Sequence, residues 1–132
     1  RSFPLLLVLI APSCDGNGGL LPPEERAWVA TEPIQCLGNA WEQDWLERHR
    51  NNYAAYPRDP DSQKTIVREY YTRLGIGVDA VVSIPKYQGV CDACFCPRGD
   101  TLYLLVDEED SEVMVLLGYR REEPRWLDTL TR

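Results

Sequence analysis

The stretch VCDACFCPRGDTLYLLV, residues 90–106, joins a tight cluster of cysteines to an apolar run that is typical of a β-strand. Cys91, Cys94 and Cys96 follow the pattern CxxCxC, and a fourth cysteine, Cys36, lies far upstream. Three cysteines in so short a window indicate a metal site, a set of disulfides or a redox motif. The state of these four sulfurs therefore decides how the domain is held together.

The clearest helix signal lies between Asp59 and Gly75. Asp59 suits the N-cap, Pro60 suits the first helical position and Gly75 suits the C-terminal stop. Two shorter helices are predicted, one capped by Asn39 and one capped by Asp107. Apolar residues at helical spacing predict a buried face on the first two helices; they are Trp41, Trp45, Leu46, Ile66, Val67, Tyr70, Tyr71 and Leu74.

The stretch IGVDAVVSIPK, residues 76–86, alternates and predicts a half-buried strand in which Val78 and Val82 point one way and Val81 the other. Pro85 ends this strand or marks a sheet edge. The order of elements is then helix, helix, strand, cysteine loop, strand and helix. This order predicts an α+β fold in which a small antiparallel sheet of two or three strands has helices packed on one face.

The connection between the two predicted strands, about residues 86–100, is longer than most hairpin loops. A short third strand at QGVC, cross-links through the cysteines, or both are expected to order it.

A chain of 132 residues that is 44% hydrophobic is expected to form one domain of ordinary size. The formal net charge of −7 argues against a nucleic-acid partner, since such binding rests on Lys and Arg neutralising phosphates. The sequence contains no Ser-centred elbow, HExxH motif or phosphate-binding loop. We therefore expect a protein that is not an enzyme.

The run from Phe3 to Ala11 is apolar and about half as long as a membrane-spanning helix, as in the central part of a secretion signal. With the residues that follow, the motif LIAPSC resembles a bacterial lipoprotein signal. The resemblance implies a signal peptide over residues 1–13 and a diacylglycerol on Cys14. It also implies an exported protein anchored in the cell envelope by its acyl chains, on the periplasmic or the outer surface. The alternative is a buried apolar segment that ends in an ordinary cysteine.

A flexible linker is predicted over residues 14–30, because Cys14 is followed by five residues that are all Asp, Gly or Asn, and then by Pro22 and Pro23. The cysteine-bearing α+β domain is expected over residues 31–119, and residues 120–132 form a charged tail or a short helix. The motifs EPIQC and CDACFCPRGD together resemble the cysteine-bearing core of small prokaryotic exported proteins of uncharacterised function. The resemblance covers residues 31–119 and implies no particular activity.

Five cysteines is an odd number, and lipidation of Cys14 leaves four to share one site. We expect two disulfides, because exported proteins fold under oxidising conditions and no cofactor is then needed. The first alternative is a zinc or iron site with Cys36, Cys91, Cys94 and Cys96 as thiolate ligands. The second alternative is thiol exchange by the CxxC pair, although a turn and not a helix is predicted after it.

Within the disulfide interpretation, a bond between Cys94 and Cys96 is the least favourable, because a one-residue gap rarely permits relaxed geometry. Two connectivities remain open. One joins Cys36 to Cys96 and Cys91 to Cys94, and the other joins Cys36 to Cys94 and Cys91 to Cys96. Either connectivity closes a loop through Cys36 that is worth roughly 4 kcal/mol in the chain-entropy model.

Two further motifs have ordinary explanations. His49 is the only histidine and is expected to contact carbonyls at a helix end, with a catalytic Cys–His pair as the alternative. Arg98, Gly99 and Asp100 match the integrin-binding tripeptide, but a turn into a strand at Thr101 accounts for them.

The sequence therefore predicts an exported lipoprotein that carries a small binding or envelope-associated domain. Its partners are expected to be the membrane, through Cys14, and an unidentified protein or carbohydrate. The tryptophans are expected to fill the core, with an exposed aromatic binding face as the alternative; they are Trp28, Trp41, Trp45 and Trp126.

Overall fold

A four-stranded antiparallel sheet in the order β2-β3-β1-β4 organises the domain. The structure is a computed structural model that describes residues 25–87 and 91–126. Its strands are β1 (Arg26–Thr31), β2 (Val78–Pro85), β3 (Asp100–Asp107) and β4 (Arg120–Arg121). The two central strands, β1 and β3, pair along their whole shared length, so they form the rigid base on which the remaining elements pack.

The helices begin and end close to the residues that the sequence predicts. They are α1 (Ala40–Arg48), α2 (Pro60–Arg73) and α3 (Glu108–Leu116), and a short 3₁₀ turn spans Tyr53–Ala55. At the start of α2, the Asp59 side chain accepts a hydrogen bond of 2.8 Å from the Ser62 N–H. Gly75 and Gly118 follow α2 and α3 with φ of 81° and 97°, the left-handed conformation that ends a helix at low cost.

All three helices contribute to one apolar core on one face of the sheet. Leu104 and Val106 of β3 are fully buried there, and Met114 brings α3 into the same cluster. A hydrogen bond of 2.7 Å between the buried hydroxyls of Tyr71 and Tyr119 links α2 to the residue after α3. The predicted α+β class, with helices on one face of the sheet, is confirmed.

The sheet has four strands, more than the two or three that were predicted, because β1 and β4 were missed. Strand β1 lies partly within the predicted linker, so the linker boundary at residue 30 is wrong and regular structure already begins at Arg26. Val29 is buried in the core cluster, and Ala27 and Ala30 of the same strand are also buried. A segment of six residues with two alanines gives only a weak local signal for a strand. Pairing with the distant residues of β3 is what makes it one.

A register shift near the start of β2 overturns the predicted alternation of its side chains. Val78 pairs with Val106 of β3 and Ala80 pairs with the next residue, Leu105. Asp79 between them is therefore one extra residue in β2, as in a β-bulge. As a result Val81, opposite Leu104, joins the buried cluster, whereas Val82 is only half-buried. The prediction that Val78 and Val82 share a face is therefore wrong, because one extra residue reverses all later side chains.

Other predictions have mixed outcomes. Leu74 was expected on the buried face of α2 but is 52% exposed, because the helix ends at that residue. The predicted signal peptide, the lipidation residue and most of the predicted linker fall within residues 1–24, which lie outside the described residues. The start of the proposed QGVC strand, residues 88–90, and most of the apolar side of the tail, residues 127–132, also lie outside them.

Replacing Gly99 with Ala is expected to lower the free energy of unfolding by about 2–3 kcal/mol. Gly99 has a φ of 108°, and an added Cβ would lie 2.4 Å from the Tyr87 carbonyl oxygen, which is a backbone atom. Gly77→Ala is the matched control, because a Cβ there meets nothing within 4 Å. Urea unfolding of both variants checks the prediction, and equal stabilities would contradict it.

Candidate functional site

The four cysteines that were predicted to share one site come together as two disulfides. Cys36 bonds to Cys94 with a Cα–Cα distance of 5.1 Å, and Cys91 bonds to Cys96 with a Cα–Cα distance of 6.0 Å. Both distances lie in the usual range for disulfides. The structure thus selects the second of the two connectivities that the sequence left open, and the disulfide interpretation is supported.

Backbone hydrogen bonds reinforce this cross-link between two distant loops. The Gln35 N–H donates to the Cys96 carbonyl at 3.0 Å, and the Arg98 N–H donates to the Pro33 carbonyl at 2.7 Å. The Gln35 side-chain amide adds bonds of 2.8 Å and 3.2 Å to the carbonyls of Cys91 and Pro97. Residues 33–37, which lead into α1, are therefore anchored on the segment that leads into β3.

Neither alternative chemistry for the cysteines is supported by this arrangement. A thiolate metal site needs free thiolates, and the four sulfurs are bonded to one another. Across residues 25–87 and 91–126 there is no group of three or more His, Cys, Asp or Glu side chains that could hold a metal ion. A redox CxxC pair would join Cys91 to Cys94, but these two residues bond to different partners and start no helix.

Beside the disulfides, α1 contributes a carboxylate, Glu42, that is only 1% exposed. Its Oε2 accepts hydrogen bonds from the Asn39 backbone N–H at 3.0 Å and from the Asn39 side-chain amide at 2.7 Å. Its Oε1 lies 3.5 Å from Nη1 of Arg98. Arg98 is held in turn by Asp100, whose two oxygens each accept a 2.8 Å bond from the guanidinium. The arginine therefore bridges the cysteine loop, α1 and β3.

The pKa values of the two carboxyl groups in this cluster are shifted in opposite directions. Burial raises the pKa of Glu42 and outweighs the lowering by Asn39 and Arg98. Burial would also raise the pKa of Asp100, but hydrogen bonds from Arg98 and Ser83 outweigh it and the pKa of Asp100 is lowered. Asp100 is thus the ion-pair partner of Arg98, and Glu42 is the carboxyl that is costly to ionise.

Two adjoining cavities open on this cluster, and both are lined by Gln63 and Arg98. The first, of about 450 Å³, lies beside Cys36 and also touches Glu42, Tyr56 and Arg58. The second has a volume of about 300 Å³ and a largely apolar wall; this wall includes Trp41, Pro60, Val67, Val81 and Leu102. Together they form a cleft, named here the Arg98 cleft, with a polar half next to the disulfide and an apolar half over the core.

His49, the tryptophans and the RGD tripeptide were the other candidate site residues. His49 stacks on Trp45 with ring centroids 3.7 Å apart, and its Nδ1 lies 2.7 Å from the Trp45 carbonyl oxygen. Trp41 and Trp45 are buried in the core, as predicted, whereas Trp28 is only half-buried and Trp126 is 40% exposed, so the prediction is wrong for Trp126. Arg98 and Asp100 bind each other, so the RGD tripeptide does not present two free charges.

Sequence reasoning found the cysteines but missed Glu42, Tyr56 and Arg98 as site residues. A signal was available for Glu42, because Asn39 and Glu42 have the spacing of a capping box. Nothing local marks Tyr56 or Arg98, since their partners lie far away along the chain. Their grouping depends on the packing of the cysteine loop on α1.

Comparison with protein-family models, with curated proteins and with solved structures yields no match for this chain. Fold and site alone therefore define its class: a small α+β domain cross-linked by two disulfides. Among the helices of the described ranges, none combines the length and hydropathy that crossing a bilayer requires.

Removing the Cys36–Cys94 bridge with a double alanine substitution is expected to lower the free energy of unfolding by about 4 kcal/mol, because the bridge closes a long loop. Its sequence separation is 58 residues, against 5 for Cys91–Cys96, whose removal is expected to cost about 2 kcal/mol by chain entropy. Urea unfolding of the two double variants measures both losses. A larger loss from removing the short bridge would contradict the prediction, and peptide mapping without reduction checks the connectivity.

Glu42→Gln tests the cost of ionising the buried carboxyl. A raised folded-state pKa means that the contribution of Glu42 to the free energy of unfolding falls as the pH rises above the unfolded value near 4.5. Each unit of raised pKa costs about 1.4 kcal/mol at neutral pH. The stability of the wild type relative to Glu42→Gln should therefore decrease from about pH 4 towards neutrality.

The measurement is urea unfolding of both chains across this pH series. Glu47→Gln, which changes an exposed glutamate on the same helix, is the control and should leave the pH profile of the wild type unchanged. A stability difference between wild type and Glu42→Gln that does not vary with pH would contradict the prediction.

Proposed function

We propose that this protein is an exported, membrane-anchored binding protein whose domain recognises its ligand without catalysing a reaction. The observation that carries the proposal is the pairing of Cys36, Cys91, Cys94 and Cys96 in two disulfides. Disulfides persist mainly in oxidising compartments outside the cytoplasm, so their presence supports export.

The cysteine count supports the anchor. Four of the five cysteines are bonded to one another, and the fifth is Cys14, which follows the apolar run of the lipoprotein-like signal. Acyl chains on Cys14 would hold the protein on the membrane. The formal charge of −7 favours this mode over an electrostatic one, because anionic headgroups repel an anionic domain.

A binding role is supported by the shape and polarity of the Arg98 cleft. Ligand sites are concave and mainly apolar with a few polar groups that fix orientation, and the two halves of this cleft have that composition. The cysteine cross-link and the Arg98–Asp100 pair hold the walls of the cleft in place, which lowers the entropy that binding must overcome.

Cys14→Ser tests the anchor. The variant is expected to move from the membrane fraction to the soluble fraction of cells that express the chain with its own leader, and to lose incorporation of labelled fatty acid. Ser13→Ala, which keeps a small residue before the cysteine, is the matched control and should stay in the membrane fraction. Unchanged membrane partitioning of Cys14→Ser would exclude the anchor.

A further inference from the structure

The polar half of the Arg98 cleft contains hydrogen-bond donors that have no partner in the described parts of the chain. Tyr56 is only 5% exposed and lines the cleft, yet its hydroxyl makes no hydrogen bond with any residue of 25–87 or 91–126. The hydroxyl stays protonated, because burial and then the charge of Glu42 raise the pKa of Tyr56. Because no buried side-chain nitrogen or oxygen of the described residues lacks a hydrogen-bond partner, the hydroxyl is not enclosed in the core but opens onto the cleft, where a ligand acceptor can reach it.

Two arginines supply further donors next to this hydroxyl. Arg58 lines the same cavity and forms neither an ion pair nor a hydrogen bond within the described ranges. Arg98 has five N–H donors, of which Asp100 takes two and Glu42 one, so one N–H on each terminal nitrogen is left. Since Asp100 fixes the plane of the guanidinium, those two donors are already oriented before a ligand binds.

The charges that line the cleft favour a single negative charge on the ligand. Of the three cations that line the cleft, Arg98 pairs with Asp100 and Lys64 pairs with Asp61, so Arg58 is the one that has no ionic partner in the described ranges. This cation occurs in a chain whose net charge is −7. A carboxylate would neutralise it, whereas a doubly charged phosphate would leave uncompensated negative charge beside Glu42.

The apolar half of the cleft indicates what is attached to the carboxylate. Its cavity of about 300 Å³ is walled by core side chains, including Trp41, Val67 and Leu102. An aliphatic or aromatic group that fills such a space gains the free energy of removing apolar surface from water.

From these observations we infer that the Arg98 cleft binds a monocarboxylate that carries an apolar body. The carboxylate accepts hydrogen bonds from Tyr56, Arg58 and Arg98, and the apolar body lies over Trp41 and Val67. This inference rests on the proposed binding role and names the chemical class of its ligand.

Octanoate at sub-micellar concentration is the probe, and isothermal titration calorimetry of the full oxidised chain measures its binding. Octanol lacks the charge, acetate lacks the apolar body, and inorganic phosphate offers a different anion. Octanoate is expected to bind at least about tenfold more tightly than each of these three compounds.

Tyr56→Phe and Arg58→Gln are each expected to weaken octanoate binding by about tenfold, because the first removes a hydrogen-bond donor to the carboxylate and the second removes the positive charge beside it. Tyr53→Phe and Arg50→Gln are the matched controls, since they make the same chemical changes outside the cleft, and they should bind octanoate as the wild type does. Arg58 is exposed, so Arg58→Gln remains informative even if Tyr56→Phe does not fold.

The inference is overturned if octanoate does not bind, if octanol binds as tightly, if phosphate binds more tightly, or if Arg58→Gln has no effect. These results are distinguishable from failure of the anchor. A chain that Cys14→Ser releases from membranes but that does not bind octanoate keeps the anchor and loses this ligand class. If the chain binds octanoate but its Cys14→Ser variant stays in the membrane fraction, the ligand class is kept and the anchor is lost.

Discussion

The cross-link between residues 33–37 and the cysteine loop is the constraint on which the candidate site depends. Each of these segments lacks regular structure of its own, and each leads directly into an element of the core, α1 or β3. The Cys36–Cys94 bond and two backbone hydrogen bonds hold them together, so the entry to α1 cannot move independently of the entry to β3. This coupling places Arg98 against Glu42 and shapes the cleft between them. Without it, the loop that carries Arg98 would not be tied to α1, which carries Glu42.

The buried polar cluster shows how the domain tolerates charge in its interior. Asp100 and Arg98 form a bidentate ion pair, which is the geometry that best compensates for the cost of removing both charges from water. Glu42 lacks such a partner: its Oε1 is 3.5 Å from the guanidinium, and burial raises its pKa. The cluster therefore combines a stable pair with a carboxyl that is under-compensated. Tyr56, Arg58 and Arg98 line the same cavity, so a carboxylate bound there could accept hydrogen bonds from donors that the described residues leave free.

The sequence predicted the elements whose signals are local. Asp59 with Pro60, and Gly75 at the other end, define α2 because caps act within one helical turn. The four cysteines were correctly grouped, and the less favourable bond between Cys94 and Cys96 was correctly set aside. The site around Arg98 was not predicted, because its members lie on three elements. Only the capping-box spacing of Asn39 and Glu42 offered a local clue, and that clue concerns a helix end and not a cleft.

By itself, then, the sequence determined the three helices, the β3 strand and the α+β class, since each follows from spacing along a short stretch of chain. The grouping of the four cysteines followed from their number. Only the tertiary structure decided that β1 is a central strand, that a register shift at Asp79 turns Val81 into the core, and that Cys36 bonds to Cys94. It also decided that Tyr56, Arg58 and Arg98 line one cleft. These outcomes depend on pairings between residues distant in the chain, and the free energies of such pairings are set by packing that no local pattern contains.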